Sequence, residues 1–217
     1  MAEQRDLRRR RAQWRPGVGS GTEELVLTRD ERRSEMFTRG STVRSTIDFL
    51  YDLLPAGVES ILNGVTPADR RTIRSVGDTD EIPYRVALAL WRAVDQAIGR
   101  HDPHWIDRSG SWAIERAGMR LYSGLIKKPS PIEFLTQHIS LFHLYYRPGD
   151  MVLVEQGAGR AVMRLVGFEP EDTLFCRRLG GGWLAALRIA GGRDVTSIHN
   201  RCSLEGDPFC EWELCWK

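Results

Sequence analysis

Four side chains in the last third of the chain, Cys176, His199, Cys202 and Cys210, are of the types that bind soft and borderline metal ions. Cys202 and Cys210 flank Ser203-Leu204-Glu205-Gly206-Asp207-Pro208-Phe209, and the Gly-Asp-Pro turn within it folds the second cysteine back towards the first. His199 stands just before Cys202, and Cys176 lies upstream on a separate element. Three thiolates and one imidazole satisfy a tetrahedral zinc shell, so a structural zinc site at these four residues is one expectation, beside buried free thiols as the other. Two features weigh against it. The intervals of 22, two and seven residues match no generic zinc-ribbon spacing. Strict strand alternation also places His199 and Cys202 on opposite faces, so the strand must end or bulge between them. Buried free thiols, which pack as small hydrophobes, account for the same residues. Cys215 falls out of face with Cys210 and Trp212 and is expected outside the cluster. A hydrolase could be assembled from His199, a cysteine nucleophile and Asp207 or Glu205. No nucleophile elbow, oxyanion loop, or nicotinamide or flavin fingerprint accompanies them, so the chain is expected not to be an enzyme.

The elements that must position these residues follow from hydrophobic period. Ser41 or Thr42 can cap a helix bearing Val43, Ile47, Leu50 and Leu54. Val58, Ile61 and Leu62 suggest a short helix, and Thr66-Pro67-Ala68-Asp69 starts another. The spacing predicts a long helix over 83–99, a second over 105–126, and a third carrying Phe134, His138, Phe142 and Tyr145-Tyr146. Gly110, Gly118 and Gly124 within the second point to close helix packing, kinks or room for a ligand. Beyond Pro148-Gly149 the period changes. Met151–Val154 and Arg160–Val166 read as a hairpin around Gly157-Ala158-Gly159, a helix follows over 173–190, and 195–202 with 209–216 make a final hairpin. The expected class is α+β, an N-terminal helical half packed on a C-terminal antiparallel sheet of two hairpins with an intervening helix.

At 217 residues the chain accommodates one domain with an appendage. Residues 1–33 read as a basic flexible arm, with Arg8 to Arg11 followed by Pro16-Gly17-Val18-Gly19-Ser20-Gly21, and 34–217 as the domain. Glu24-Leu25-Val26-Leu27 in that arm is a possible edge strand. A net charge of +2 gives no general argument for nucleic acid, so only the arm could touch phosphates. No secretory signal or membrane-length apolar run is present, which places the protein in the cytoplasm, where cysteines serve as free thiols or ligands more often than as bridges.

The stretch Gly157-Ala158-Gly159-Arg160-Ala161, then Gly182-Trp183-Leu184, His199-Asn200-Arg201-Cys202 and Glu205-Gly206-Asp207-Pro208-Phe209-Cys210-Glu211-Trp212, resembles the 4-vinyl reductase-type domain. From about Phe37 the chain resembles more closely a myxobacterial paralogous family with this domain, including the run His138-Ile139-Ser140-Leu141-Phe142-His143-Leu144-Tyr145-Tyr146. The resemblance implies the superfamily of haem–nitric oxide sensors, vesicle-tethering TRAPP subunits and the aromatic-sensing domains of bacterial transcription activators. In those aromatic sensors a zinc site of three cysteines and a glutamate sits beside the pocket. Its Glu-x2-Cys-x7-Cys pattern maps onto Cys202 and Cys210, with Cys176 at the upstream position and His199 replacing the glutamate.

Haem would require an axial histidine, for which His138 and His143 are candidates. The Tyr-x-Ser-x-Arg propionate motif of the haem sensors is absent, so the sequence argues against haem. Trp91, Trp112, Phe134, His138, Phe142 and Trp183 are the candidate lining of an apolar pocket. Together these readings describe a non-enzymatic sensor or binding domain for a small apolar or aromatic ligand, signalling through a protein partner or homodimer. The alternative is a pure interaction or dimerisation module with a solid interior, marked by an exposed aromatic or leucine stripe on the early helices.

Overall fold

A computed structural model describes residues 36–217; within it the side chains of Leu125 and of residues 138–141 lie outside the description. The arm over 1–33, including the candidate strand Glu24–Leu27, falls outside the described residues. The remainder is α+β, as the hydrophobic periods require. Strand β1 (Phe37–Arg39) leads into helix α1 (Gly40–Leu53), followed by α2 (Val58–Asn63), α3 (Pro67–Ser75), β2 (Glu81–Pro83) and α4 (Tyr84–Ile98). Helix α5 (Trp105–Ala113) passes through a π-helical segment, Ile114–Gly118, into α6 (Met119–Ile126). Helix α7 (Pro131–Tyr145) ends the helical half. It is followed by β3 (Tyr146–Arg147), β4 (Asp150–Gly157), β5 (Arg160–Val166), α8 (Thr173–Ile189), β6 (Thr196–Arg201) and β7 (Cys210–Cys215).

The main sheet has the order β4-β5-β7-β6 with every pairing antiparallel, and a small sheet joins β2-β1-β3. In the main sheet Ala161, Met163 and Leu165 of β5 stand opposite Leu214, Trp212 and Cys210 of β7. All six are buried and form the face that meets α8. The outward register carries charge instead: Arg164 Nη2 lies 2.6 Å from Glu211 Oε2 and Arg160 Nε 2.5 Å from Glu213 Oε1. Period-2 alternation therefore separates core from solvent along β7, and along β5 except at Val162, which is buried on the outward register.

Helix starts follow local chemistry. Thr66 caps α3, accepting from the Asp69 N–H at 3.2 Å, with Pro67 at the first helical position. Helix α1 departs from expectation. It starts at Gly40 without a side-chain cap, because the Gly40 and Ser41 N–H groups donate to the carbonyls of Asp80 and Asp78 at 2.8 and 2.9 Å. A Cβ on Gly40 would lie 1.9 Å from the Gly77 carbonyl, which explains the glycine. Helix α8 is capped by Asp172, which accepts from the Leu174 N–H at 3.1 Å and pairs with Arg92 Nε at 2.9 Å. Asp172→Ala is expected to cost about 1 kcal/mol, measured as a lower urea midpoint with unchanged slope.

The single helix expected over 105–126 is broken. Its apolar spacing continues through the break, but the hydrogen bonding widens at Ile114–Gly118, and Tyr122 leaves helical geometry at φ −136° and ψ 31°. The α5–α8 contact is backbone on backbone. Cβ atoms on Gly110 and Gly181 would lie 2.0 Å from the Arg178 carbonyl oxygen and 1.9 Å from that of Asp107. Ser111 Oγ donates to the Gly181 carbonyl at 2.8 Å across the same seam.

Candidate metal centre and adjoining cavity

Helix α8 brings Cys176 over the end of the β6–β7 hairpin. The ligand atoms of Cys176, His199, Cys202 and Cys210 all lie within 4.8 Å of one another, with the three cysteines buried and His199 more open. The Cys176 and Cys210 sulfurs are 3.8 Å apart. A tetrahedron with zinc–sulfur bonds of about 2.3 Å has edges of about 3.8 Å, so this pair needs no rearrangement to share an ion.

The alternation conflict is resolved by one extra residue. His199 pairs with Trp212 and Arg201 with Glu211, which leaves Asn200 as a bulge. Arg201 thereby joins Glu211 on the outer register, and Cys202 returns to the inner face with His199, Trp212 and Cys210. The imidazole stacks on Trp212 with centroids 4.6 Å apart and planes 14° from parallel. A 3₁₀ turn, Ser203–Glu205, and left-handed Gly206 at φ +100° close the loop. Asp207 Oδ2 fixes its start by accepting from the Cys202 N–H at 2.8 Å. Cys215 sits on the opposite face of β7 and is not among the clustered ligands.

The metal-free thiols share their protons unequally. The Cys176 S–H donates to Cys210, which with help from His199 and the Ser203 O–H and N–H draws the Cys210 pKa down to about 4. The same hydrogen bond and burial push Cys176 up, and burial raises Cys202. The cluster thus holds one thiolate at neutral pH in a buried place, an arrangement that a cation completes.

Further along α8, Arg178, Leu179, Gly182 and Trp183 line a partly open cavity of about 70 Å³ together with α1, α5, the π segment, α6 and α7. Ile114, Ala117, Ile126, Phe142 and Trp183 form its apolar wall, and Ser41, Ser45, Tyr145, Tyr146 and Arg178 its polar one. Of the expected lining, Phe142 and Trp183 are present. Trp91 lies behind Arg178, with the guanidinium carbon 5.3 Å from its ring centroid, and Phe134 lies edge-on behind Trp183 at 6.4 Å. Trp112 turns its Nε1 to Asp52 Oδ2 at 3.1 Å, and the His138 side chain is outside the description. His143 lies away from the cavity, exposed, with Nε2 2.7 Å from Asp150 Oδ1. Arg178 escaped the sequence reading although a signal existed: it stands four residues after Leu174 and three after Phe175, on the buried stripe of α8.

No protein-family model matches the chain, and no curated protein matches it. The resemblance to the 4-vinyl reductase-type domain and the myxobacterial family therefore rests on motifs alone. Solved structures do match. An H-NOX protein from K. algicida superposes with a TM-score of 0.65 at 12% identity, covering 82% of this chain and 96% of that one. An H-NOX protein from S. oneidensis in the Fe(II)NO ligation state gives 0.64 at 13%, covering 82% and 99%. A mutant of T. tengcongensis H-NOX gives 0.58 at 13%, covering 82% and 97%. The chain has the H-NOX fold. This corrects the reading that set haem aside, because the proteins that share the fold include ones solved with ligated iron and others studied for haem distortion. The missing Tyr-x-Ser-x-Arg motif is too narrow a signal to exclude haem across a fold matched at such low identity. The described cavity lining offers a cation, Arg178, and a phenol, Tyr145, but no histidine. A porphyrin is several times larger than this cavity of about 70 Å³.

Proposed function

We propose that this chain is a non-enzymatic sensor or binding domain that holds a small molecule between α1, the π segment, α7 and α8, with a metal ion at Cys176, His199, Cys202 and Cys210 bracing the hairpin end. The observation that carries this reading is the cavity itself, a partly open space lined by both apolar and polar side chains at the point where the α5–α6 helix loses regularity. π-Helical segments recur at functional sites, and a helix that changes hydrogen-bonding pattern can repack at low cost. An occupant that fills the space favours one packing of α5–α7 over another, which is a population shift. The donor set of three sulfurs and one imidazole favours zinc. The buried thiols, all at 3% exposure or less, are shielded from substrates, which supports a structural rather than a nucleophilic role. The basic arm over 1–33 acts as an appendage to this domain.

Native mass spectrometry and the visible spectrum of the purified full chain, before and after addition of haemin, test the reading. An extra organic mass, or a Soret band on haemin addition, supports a binding domain and identifies its occupant. Protein that takes up no small molecule and no haem overturns it. A second reading, dimerisation through the helical half, is favoured by one observation. Tyr51, Leu53 and Leu54 at the end of α1 are 48%, 42% and 39% exposed. Light scattering of the wild type and of Tyr51→Ser checks it, and a concentration-independent monomer excludes it. Among the described residues no helix is long and apolar enough to cross a membrane.

A further inference from the structure

Two adjacent arginines on α8 have opposite surroundings. Arg177 reaches the surface and pairs with Asp107. Arg178 is 5% exposed and has no carboxylate partner among the described residues. Its Nη1 donates to Ser109 Oγ, its Nη2 to Ser45 Oγ at 2.9 Å and more weakly to the Thr42 carbonyl at 3.4 Å. The Tyr146 hydroxyl is a further hydrogen-bond partner. These acceptors are neutral, so they satisfy N–H bonds without cancelling the charge. A buried guanidinium without a counter-ion is expensive, and buried charges are ordinarily paired. The residue lines the cavity, and so does Ser41, whose hydroxyl is buried without a hydrogen-bond partner. A fixed cation and an idle hydroxyl thus line the same cavity, whose remaining lining is largely apolar.

We propose that the cavity selects an anionic ligand, a carboxylate on a small apolar body, whose charge pairs with Arg178 and whose second oxygen accepts from Ser41. The inference rests on the cavity being the binding site proposed above and adds the ligand's chemical class. A carboxylate suits the buried guanidinium because it supplies the counter-charge that the neutral acceptors lack, whereas an amide of the same shape carries none. The serine and tyrosine cage holds the guanidinium in place before the ligand arrives, so little side-chain entropy is lost on binding. The cavity volume limits the body to a few heavy atoms, or to a single ring once the π segment yields.

Paired probes of equal shape test this on the full chain: butyrate against butyramide, and benzoate against benzamide, by calorimetry and thermal shift. The acids are expected to bind at least tenfold more tightly than their amides. In Arg178→Met that preference is expected to vanish. Ser41→Ala is expected to weaken the acids several-fold. Amides that bind the wild type as tightly as the acids would overturn the anion inference while leaving the binding domain standing. Absence of binding by either member of both pairs, together with no haem uptake, would remove the cavity reading as well. If Arg178→Met does not fold, the acid–amide ratio in the wild type decides alone.

Discussion

Replacing Cys210 by serine is expected to release the metal and to lower stability by about 4 kcal/mol at free zinc a thousandfold above its dissociation constant, since binding to the folded state alone contributes RT ln(1 + [L]/Kd). Cys210 has this leverage because its sulfur lies 3.8 Å from Cys176 and accepts from Ser203 N–H at 3.4 Å, so no other side chain can take its place. Elemental analysis should find one zinc per chain in the wild type and none in the variant. A chelator should lower the wild-type melting temperature to the level of the variant and leave the variant unchanged. Cys215→Ser should keep its zinc, because Cys215 lies on the outer face of β7. Wild-type protein that is metal-free and unmoved by chelator would sink the site. Protons compete with the ion for thiolate, so zinc should be released as the pH falls. The stripped protein has its own signature. The Cys210 pKa is depressed to about 4, so the stability its thiolate contributes is lost as the pH falls from about 9 towards 4, while the raised Cys176 and Cys202 cost stability above about 9.

The second large effect is expected at Gly181. A Cβ there would sit 1.9 Å from the Asp107 carbonyl oxygen, a backbone atom that cannot swing aside, so α5 and α8 must separate. Overpacking of this kind costs about 3 kcal/mol, offset by up to about 1 kcal/mol from removing a helical glycine. Gly181→Ala should therefore lose about 2 kcal/mol in urea unfolding. Gly180→Ala, one residue away, should gain about 0.5–1 kcal/mol, because its Cβ would meet only Ser197 Oγ at 3.6 Å and Trp212 Nε1 at 3.9 Å. Equal effects at the two positions would mean that the seam is looser than described.

Which parts of this fold could be read in advance depended on the length scale of the signal. The capped start at Thr66, the stripe of α4 and both long hairpins announce themselves over several residues, enough for a period to emerge. Strands β1, β2 and β3 have two or three residues each, too few for alternation to register. The π segment was invisible because one widened turn leaves the apolar spacing nearly intact. Glycines at 110 and 118 carried part of that information, since one seats α5 against α8 and the other lies within the π turn, but Gly124 faces open space. For the metal centre, residue types and turn chemistry brought the four ligands together on paper, and the face that His199 takes waited on a bulge at Asn200 that no composition rule marks. Arg178 was lost because a charged residue on an apolar stripe reads as surface unless the stripe is drawn first.

Cys176 and Arg178, two residues apart on α8, tie the proposed metal centre and the proposed ligand cavity to one turn of one helix. At a rise of about 1.5 Å per residue the two groups are separated by roughly 3 Å along one helix axis, on a turn clamped against α5 by Gly110 and Gly181. Any displacement of that turn changes both sites at once. Thermodynamic reciprocity then requires that whatever factor the ion contributes to ligand affinity, the ligand returns to ion affinity. With both sites filled as proposed, a chain of this layout would respond to metal supply and small-molecule supply together, and its response curve to either one would carry the concentration of the other.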